Sequence, residues 1–398
     1  MKRLAFSIVA AYFILYSLPF PLDLVPWLVP WLAQGYAEMW NALVPWAGSH
    51  VFGLMITVQP NGSGDTTFNY VQLFCVAVLA IVIGTIWFVA RRNRDDERFR
   101  TWVRIYIRFV LAAAMLSYGA FKVIKSQFPE PSLGRLLQPF GDASPMGLLW
   151  TFMGASLAYN VFTGIAEMLG GALLTMRRTT LLGALISAGV MANIVMLNFS
   201  YDVPVKLYSS HLLAMAIFLA LPDARRLFDF FVRNRPVEPA RVEAVFDSRR
   251  GHRAALVLRT LFVLAITLLP LSMSYEQRQQ FLQRGESAIW NVTSFTGAGE
   301  PWQRVVFEPR SELSVFAGSS RQRYRFERQG ASQTIRIRRR ENPNESYVFT
   351  YTEGAAEMTL NGMYRGHDVK VALAKAPRPQ FPLLTRGFHW VNEYPYNR

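Results

Sequence analysis

The chain has 398 residues, 52% of them hydrophobic and only 17% charged. Soluble domains carry roughly 25% charged residues, so an ordinary soluble protein is excluded, and runs of ~18 or more apolar residues are long enough to cross a bilayer core of about 30 Å. The formal net charge of +15 lies largely in loops between apolar runs, where it fixes membrane orientation; no nucleic-acid motif accompanies it, and nucleic acid is set aside as a partner.

In chain order, Met1-Lys2-Arg3 followed by the apolar run 4–18 has the form of a signal sequence. Pro19-Phe20-Pro21 stands where a small-x-small cleavage site would, so the segment reads as an uncleaved signal anchor. Residues 22–70 carry Trp27, Trp31, Trp40 and Trp46 between prolines and suit the outer membrane interface. In Asn61-Gly62-Ser63-Gly64-Asp65-Thr66-Thr67, which lacks the ending of a phosphate-binding loop, Asp65, Thr66 or Thr67 is expected to cap the next helix. Further spans are expected at 71–90, 106–124, within 146–176, and at 181–199, 203–221 and 254–271, about seven in all.

Arginines gather at 2–3, 91–108, 177–178 and 225–259, with few basic residues in the intervening loops. The positive-inside rule then places the N-terminus in the cytoplasm and residues 272–398 outside it. That tail is polar, which holds the mean hydropathy of the whole chain to +0.17. Period-two alternation at 323–326, 335–338, 346–352 and 368–373 predicts strands, with turns at Gly330 and Asn342-Pro343-Asn344. The expected fold is an α-helical polytopic membrane bundle plus a C-terminal antiparallel β domain, a small sheet or sandwich. Four segments are expected: 1–100, 101–222, 223–271 and 272–398.

The single cysteine, Cys75, excludes an intramolecular disulfide or a CxxC pair, and no clustered Cys/His set suggests a metal. Glu167 is the sharpest signal. It lies ten residues before Arg177, about 15 Å along a helix and therefore near mid-membrane. A carboxyl there is costly unless paired, protonated or facing the bundle interior. Ser156, Asn160, Thr163, Glu167 and Gly171 recur at helical spacing. Lys122, Asn193, Asn198, Asp202, Lys206 and His211 lie toward the outer ends of neighbouring spans. Together with Asn160 they outline a polar pocket opening outward with Glu167 at its floor; the competing reading is a packing seam, with Lys122 and Lys206 snorkelling to the interface. His211 is the only histidine within a span, so bis-histidine haem binding has no support. Arg323, Arg325, Arg336 and Arg338 share strand faces and suit anionic headgroups or an acidic partner, or else a solvated strand edge.

Residues 104–221 resemble the DoxX family of membrane proteins, including its DoxD-like members. The resemblance rests on Arg108, the approach to Tyr118-Gly119-Ala120-Phe121-Lys122, and the run Gly164-Ile165-Ala166-Glu167-Met168-Leu169-Gly170-Gly171-Ala172-Leu173-Leu174 before a basic turn at 177–180. It implies a four-helix membrane core in the bacterial cytoplasmic membrane, a quinone as ligand, and a place beside a membrane redox complex. It does not establish an enzyme, and the sequence carries no autonomous catalytic or redox motif. The expected function is a membrane subunit binding a quinone or lipid in the Glu167 pocket. The alternatives are an anchored assembly protein presenting its outer domain to a partner, and a transporter.

Overall fold

A computed structural model describes the chain apart from residues 1, 25–29, 59–61, 92–96, 240–247, 283–286, 319 and 398. The readings at Trp27, Asn61, Arg92 and Arg94 lie outside the described residues. The helices are α1 (Lys2–Ser17), α2 (Pro30–Phe52), α3 (Thr67–Ala90), α4 (Glu97–Val123), α5 (Leu133–Leu136), α6 (Pro145–Ala155), α7 (Leu157–Leu174), α8 (Thr180–Ser200), α9 (Lys206–Ala220), α10 (Ala224–Phe231), α11 (Arg249–Leu282) and α12 (Pro382–Thr385). Eight strands stand between the last two: β1 (Ala288–Thr296), β2 (Trp302–Glu308), β3 (Glu312–Ala317), β4 (Ser320–Gln329), β5 (Thr334–Arg339), β6 (Ser346–Glu353), β7 (Glu357–Tyr364) and β8 (His367–Ala376).

Two compact units cut across chain order: Met1–Gln127 with Asn160–Tyr275, and Phe128–Tyr159 with Glu276–Arg398. In the first, six stretches among the described residues are long and apolar enough to span a membrane: α3, α4, α7, α8, Lys206–Phe231 and α11; α1 is apolar but shorter. The expected spans coincide with these helices, with one difference. The stretch 146–176 is broken at Ser156, whose extended backbone ends α6 and whose hydroxyl accepts from Tyr159 N–H at 3.2 Å to start α7. Residues 22–70 hold the helix α2, whose Trp40, Val44 and Ala47 pack with Val71, Cys75 and Val76 of α3.

Helix α4 is the most buried span. Alanines and glycines let its neighbours approach closely. A Cβ on Gly164 would stand 2.8 Å from the carbonyl oxygen of Gly119, and one on Gly119 would stand 2.7 Å from that of Gly164, so the α4–α7 crossing tolerates no side chain at either position. Ala113 and Leu116 pack with Ile266 of α11. Ser274 on α11 donates to Ala120 O at 3.3 Å and pairs with Ser126 at 2.8 Å.

The loop before α3 has two functions. Thr66 caps α3 in a reciprocal capping box with Asn69. Asp65 instead caps α9, accepting from the backbone N–H of Lys206 at 2.7 Å and of Leu207 at 3.0 Å. Its carboxylate thereby satisfies donors that a helix start leaves open.

In the second unit the strands form a closed antiparallel barrel, β1 to β8 in order, with β8 returning to β1. An eight-stranded barrel has just enough interior for side chains to fill, and Trp290, Trp302, Val305, Phe307, Tyr324, Ile335, Ile337, Phe349, Val371 and Leu373 fill it. Closure removes sheet edges. Strands β4 and β5 are paired on both sides, so their arginines guard no edge. The outer face of β1–β3 carries an apolar patch as well. Ile289, Val306 and Phe316 are buried with Leu133 of α5, which reaches this unit from the connection between α4 and α7.

Candidate functional site

The eight pocket residues expected from sequence fall into separate groups. Lys122 and Glu167 meet as a buried ion pair across the α4–α7 crossing, at 6% and 1% exposure. The second carboxylate oxygen of Glu167 is buried without a hydrogen-bond partner among the described residues. Asn160, fully buried, lies on the same helix two turns away. Asn198 donates to Ser209 Oγ at 2.9 Å. Lys206 pairs with Asp202 at 2.8 Å and stands 3.8 Å from Asp65. Asn193 is exposed on the outside of α8. His211 packs against α1: its ring stacks on Tyr16 at 3.8 Å between centroids, its Nδ1 lies 2.6 Å from Leu207 O and its Nε2 2.6 Å from the Tyr12 hydroxyl. A carbonyl only accepts, so Nδ1 carries a proton and donates to Leu207 O, while Nε2 shares a hydrogen bond with the Tyr12 hydroxyl.

A cavity of about 300 Å³ lies elsewhere in this unit, among α1, the turn after it, α3, α4 and α9. Its wall combines polar groups from Tyr16, Ser17, Asp23, Asn69, Gln72 and Tyr208 with apolar Leu73, Val76, Val110, Leu212 and Met215. None of the eight expected residues lines it, although Tyr16 joins it to the His211 stack. A signal for it was present. Asn69, Gln72, Leu73 and Val76 recur at i, i+3, i+4 and i+7, which aligns one face of α3, and Gln72 is an amide inside an otherwise apolar span. Mixed polar and apolar walls of this volume fit the head of an amphiphile. No group of three His, Cys, Asp or Glu placed to hold a metal occurs among the described residues.

On the barrel, the expected anionic contacts project outward. Arg325 stands directly opposite Arg338, and Arg336 opposite Glu327. Arg323 pairs with Glu341 at 2.9 Å. Arg325, Arg336 and Arg338 are exposed, and the ion pairs of this surface go instead to Arg328, Arg339, Arg340 and Arg365.

A buried cluster that periodicity did not flag joins α5 to the barrel. Glu308, 6% exposed, accepts from Gly134 N–H at 2.9 Å and from Ser314 Oγ at 3.3 Å, and lies 3.6 Å from Arg321. Burial pushes the Arg321 guanidinium down to about 10, against the opposing pull of Glu308. Arg135 is likewise lowered by burial and by repulsion from Arg323. A Cβ on Gly134 would come within 2.5 Å of Ser314 Oγ and 2.7 Å of Arg321 Nη2, so a side chain there would displace this cluster.

These features define a multi-pass membrane protein carrying a closed eight-stranded β-barrel domain. A protein of Bacillus subtilis (strain 168), named only as the uncharacterized protein YwoB, is 34% identical over 152 residues, covering 38% of this chain and 95% of that protein. The chain belongs to the family of that protein and extends well beyond the shared region. No family model matches the chain, and no solved structure matches it.

Proposed function

We propose that this chain is a bacterial cytoplasmic-membrane protein that seats the polar head of a lipophilic ligand, a quinone or a membrane lipid, beside a membrane redox complex. The observation that carries this reading is the cavity of about 300 Å³ within the membrane unit, lined both by hydroxyl, amide and carboxyl groups and by aliphatic side chains. A ligand carbonyl or headgroup oxygen would accept from the side chains of Gln72, Asn69 or Tyr208, which line the cavity. The DoxX resemblance of residues 104–221 points to the same class of ligand. Purification in mild detergent followed by solvent extraction and mass spectrometry should recover a specific quinone or lipid. Gln72→Leu with Tyr208→Phe should lower its retention roughly tenfold, the effect of about one net hydrogen bond. Recovery of bulk lipid alone, or unchanged retention in the variant, would sink the reading.

The proposed orientation has the N-terminus in the cytoplasm and the barrel in the periplasm. It draws on the arginines at one end of the spans. It also draws on parity: five crossings by α4, α7, α8, α9 and α11 leave residues 128–159 and the chain after α11 on one side, and those segments share a compact unit. Alkaline phosphatase fused after residue 397 should therefore be active and a cytoplasmic reporter there silent; the reverse pattern would contradict the orientation.

A further inference from the structure

Arg108, at the basic end of α4, is 6% exposed. Its Nη1 donates to Thr180 Oγ1 at 3.3 Å, which brings the guanidinium to the first turn of α8. Its Nε is buried with no hydrogen-bond partner among the described residues, and the cation lies 4.8 Å from the Phe109 ring centroid. The charges that act on it most strongly come from Arg177, Arg259 and Arg104; all are positive, and no carboxylate is among them. Arg104, Arg108 and Arg259 form no ion pair among the described residues.

The start of α8 is open as well. Thr179 makes no side-chain cap. The hydroxyls of Thr179 and Thr180 turn back to the carbonyls of Leu173, at 2.7 Å, and Met176, at 3.0 Å. The first backbone N–H groups of a 21-residue helix, and the positive end of its dipole, are thus left without a capping side chain beside a buried arginine. A buried cation is costly unless paired, and an unpartnered buried donor calls for a missing acceptor. A negative acceptor fits here, because the charges acting most strongly on Arg108 among the described residues are positive.

We propose that this corner is a phosphate-binding site. Arg108, flanked by Arg104 and Arg259 and backed by the first turn of α8, takes a phosphate group, foremost the phosphodiester of an anionic phospholipid in the adjoining leaflet. Phosphate supplies several acceptor oxygens to converging guanidinium and helix N–H donors, and basic pockets between spans on the cytoplasmic side hold such headgroups. Arg108 lies fourteen residues before Lys122 on α4, about 21 Å away, at the level of the Arg177-Arg178 turn. The site shares no lining residue with the cavity of the proposed function, so each reading fails or stands separately.

The full-length protein, purified and stripped of lipid in a neutral detergent, tests it. Thermal unfolding and native mass spectrometry would be read with dioleoylphosphatidylglycerol, with dioleoylglycerol, which has the same chains and no phosphate, and with inorganic phosphate. Phosphatidylglycerol should be retained at least about tenfold better than the diacylglycerol and should raise the unfolding temperature. Arg108→Gln should abolish the preference. Arg104→Gln with Arg259→Gln, which leaves the buried position intact, should weaken it even if the first variant folds poorly. Equal, arginine-dependent stabilisation by inorganic phosphate supports the site and assigns it to a soluble anion. Stabilisation by phosphatidylglycerol alone supports it and assigns it to a lipid. No preference for phosphate over diacylglycerol, or a preference kept in both variants, overturns it.

Discussion

Glu308→Ala is expected to destabilise the barrel unit by about 3–5 kcal/mol, because removing one member of a buried ion pair leaves the other charge uncompensated. The Arg321 side chain is only 7% exposed, so water cannot take the place of the carboxylate. The substitution also strips the acceptor from Gly134 N–H and from Ser314. Glu308→Gln keeps a carbonyl oxygen for Gly134 and loses only the charge, so its cost should be smaller, about 1–2 kcal/mol. Hydrogen exchange on the full chain reads this directly: residues 132–138 and strands β1–β3 should lose protection together, since Leu133 packs with Ile289, Val306 and Phe316. If protection in 132–138 falls while β1–β3 are unchanged, the two are not one cooperative unit. Residues 276–398 without 128–159 would expose that apolar face, so the barrel is properly tested within the whole chain.

How many faces an element buries accounts for much of what was legible in the sequence, although β7, which buries one face, was missed as well. Strands β4, β5, β6 and β8 bury one face against the barrel core, so apolar and polar residues alternate, as in Ile335-Arg336-Ile337-Arg338, and period two finds them. Strands β2 and β3 are covered on both faces, inside by the core and outside by α5, and β1 joins them at Ile289. Val305, Val306 and Phe307 are consecutive and all buried. Such a run carries no alternation and cannot be told from a short helix by periodicity. Closure of the barrel is a long-range pairing of β1 with β8, which no local pattern encodes. The spans were legible because each is a long, predominantly apolar run. Their polar residues were legible as outliers, but their partners were not. Periodicity fixes the face of one helix and leaves open which neighbour it meets, so Lys122 and Glu167 were seen as members of one group and His211 and Asn198 were assigned to it as well. The structure pairs His211 with Tyr12 and Tyr16, and Asn198 with Ser209.

The Lys122–Glu167 pair separates a packing role from a pocket role through a double-mutant cycle. Glu167→Leu alone leaves the Lys122 ammonium buried in an apolar crossing, and Lys122→Met alone leaves the Glu167 carboxyl there. Each single substitution should destabilise by about 3–5 kcal/mol, because a lone charge at this depth has neither water nor a counter-charge. Lys122→Met with Glu167→Leu removes both charges and replaces them with apolar groups of similar size, and should recover most of the loss. The checking measurement is thermal unfolding of the purified chain in mild detergent, with the coupling energy taken from the four proteins of the cycle. A large coupling with ligand retention intact in the double variant makes the pair a structural lock on the α4–α7 crossing, where Gly119 and Gly164 already bring the backbones together. Loss of the co-purifying ligand in a double variant that is as stable as the parent would instead give Glu167 a direct part in binding. Independent, additive effects of the two single substitutions would contradict the pairing itself.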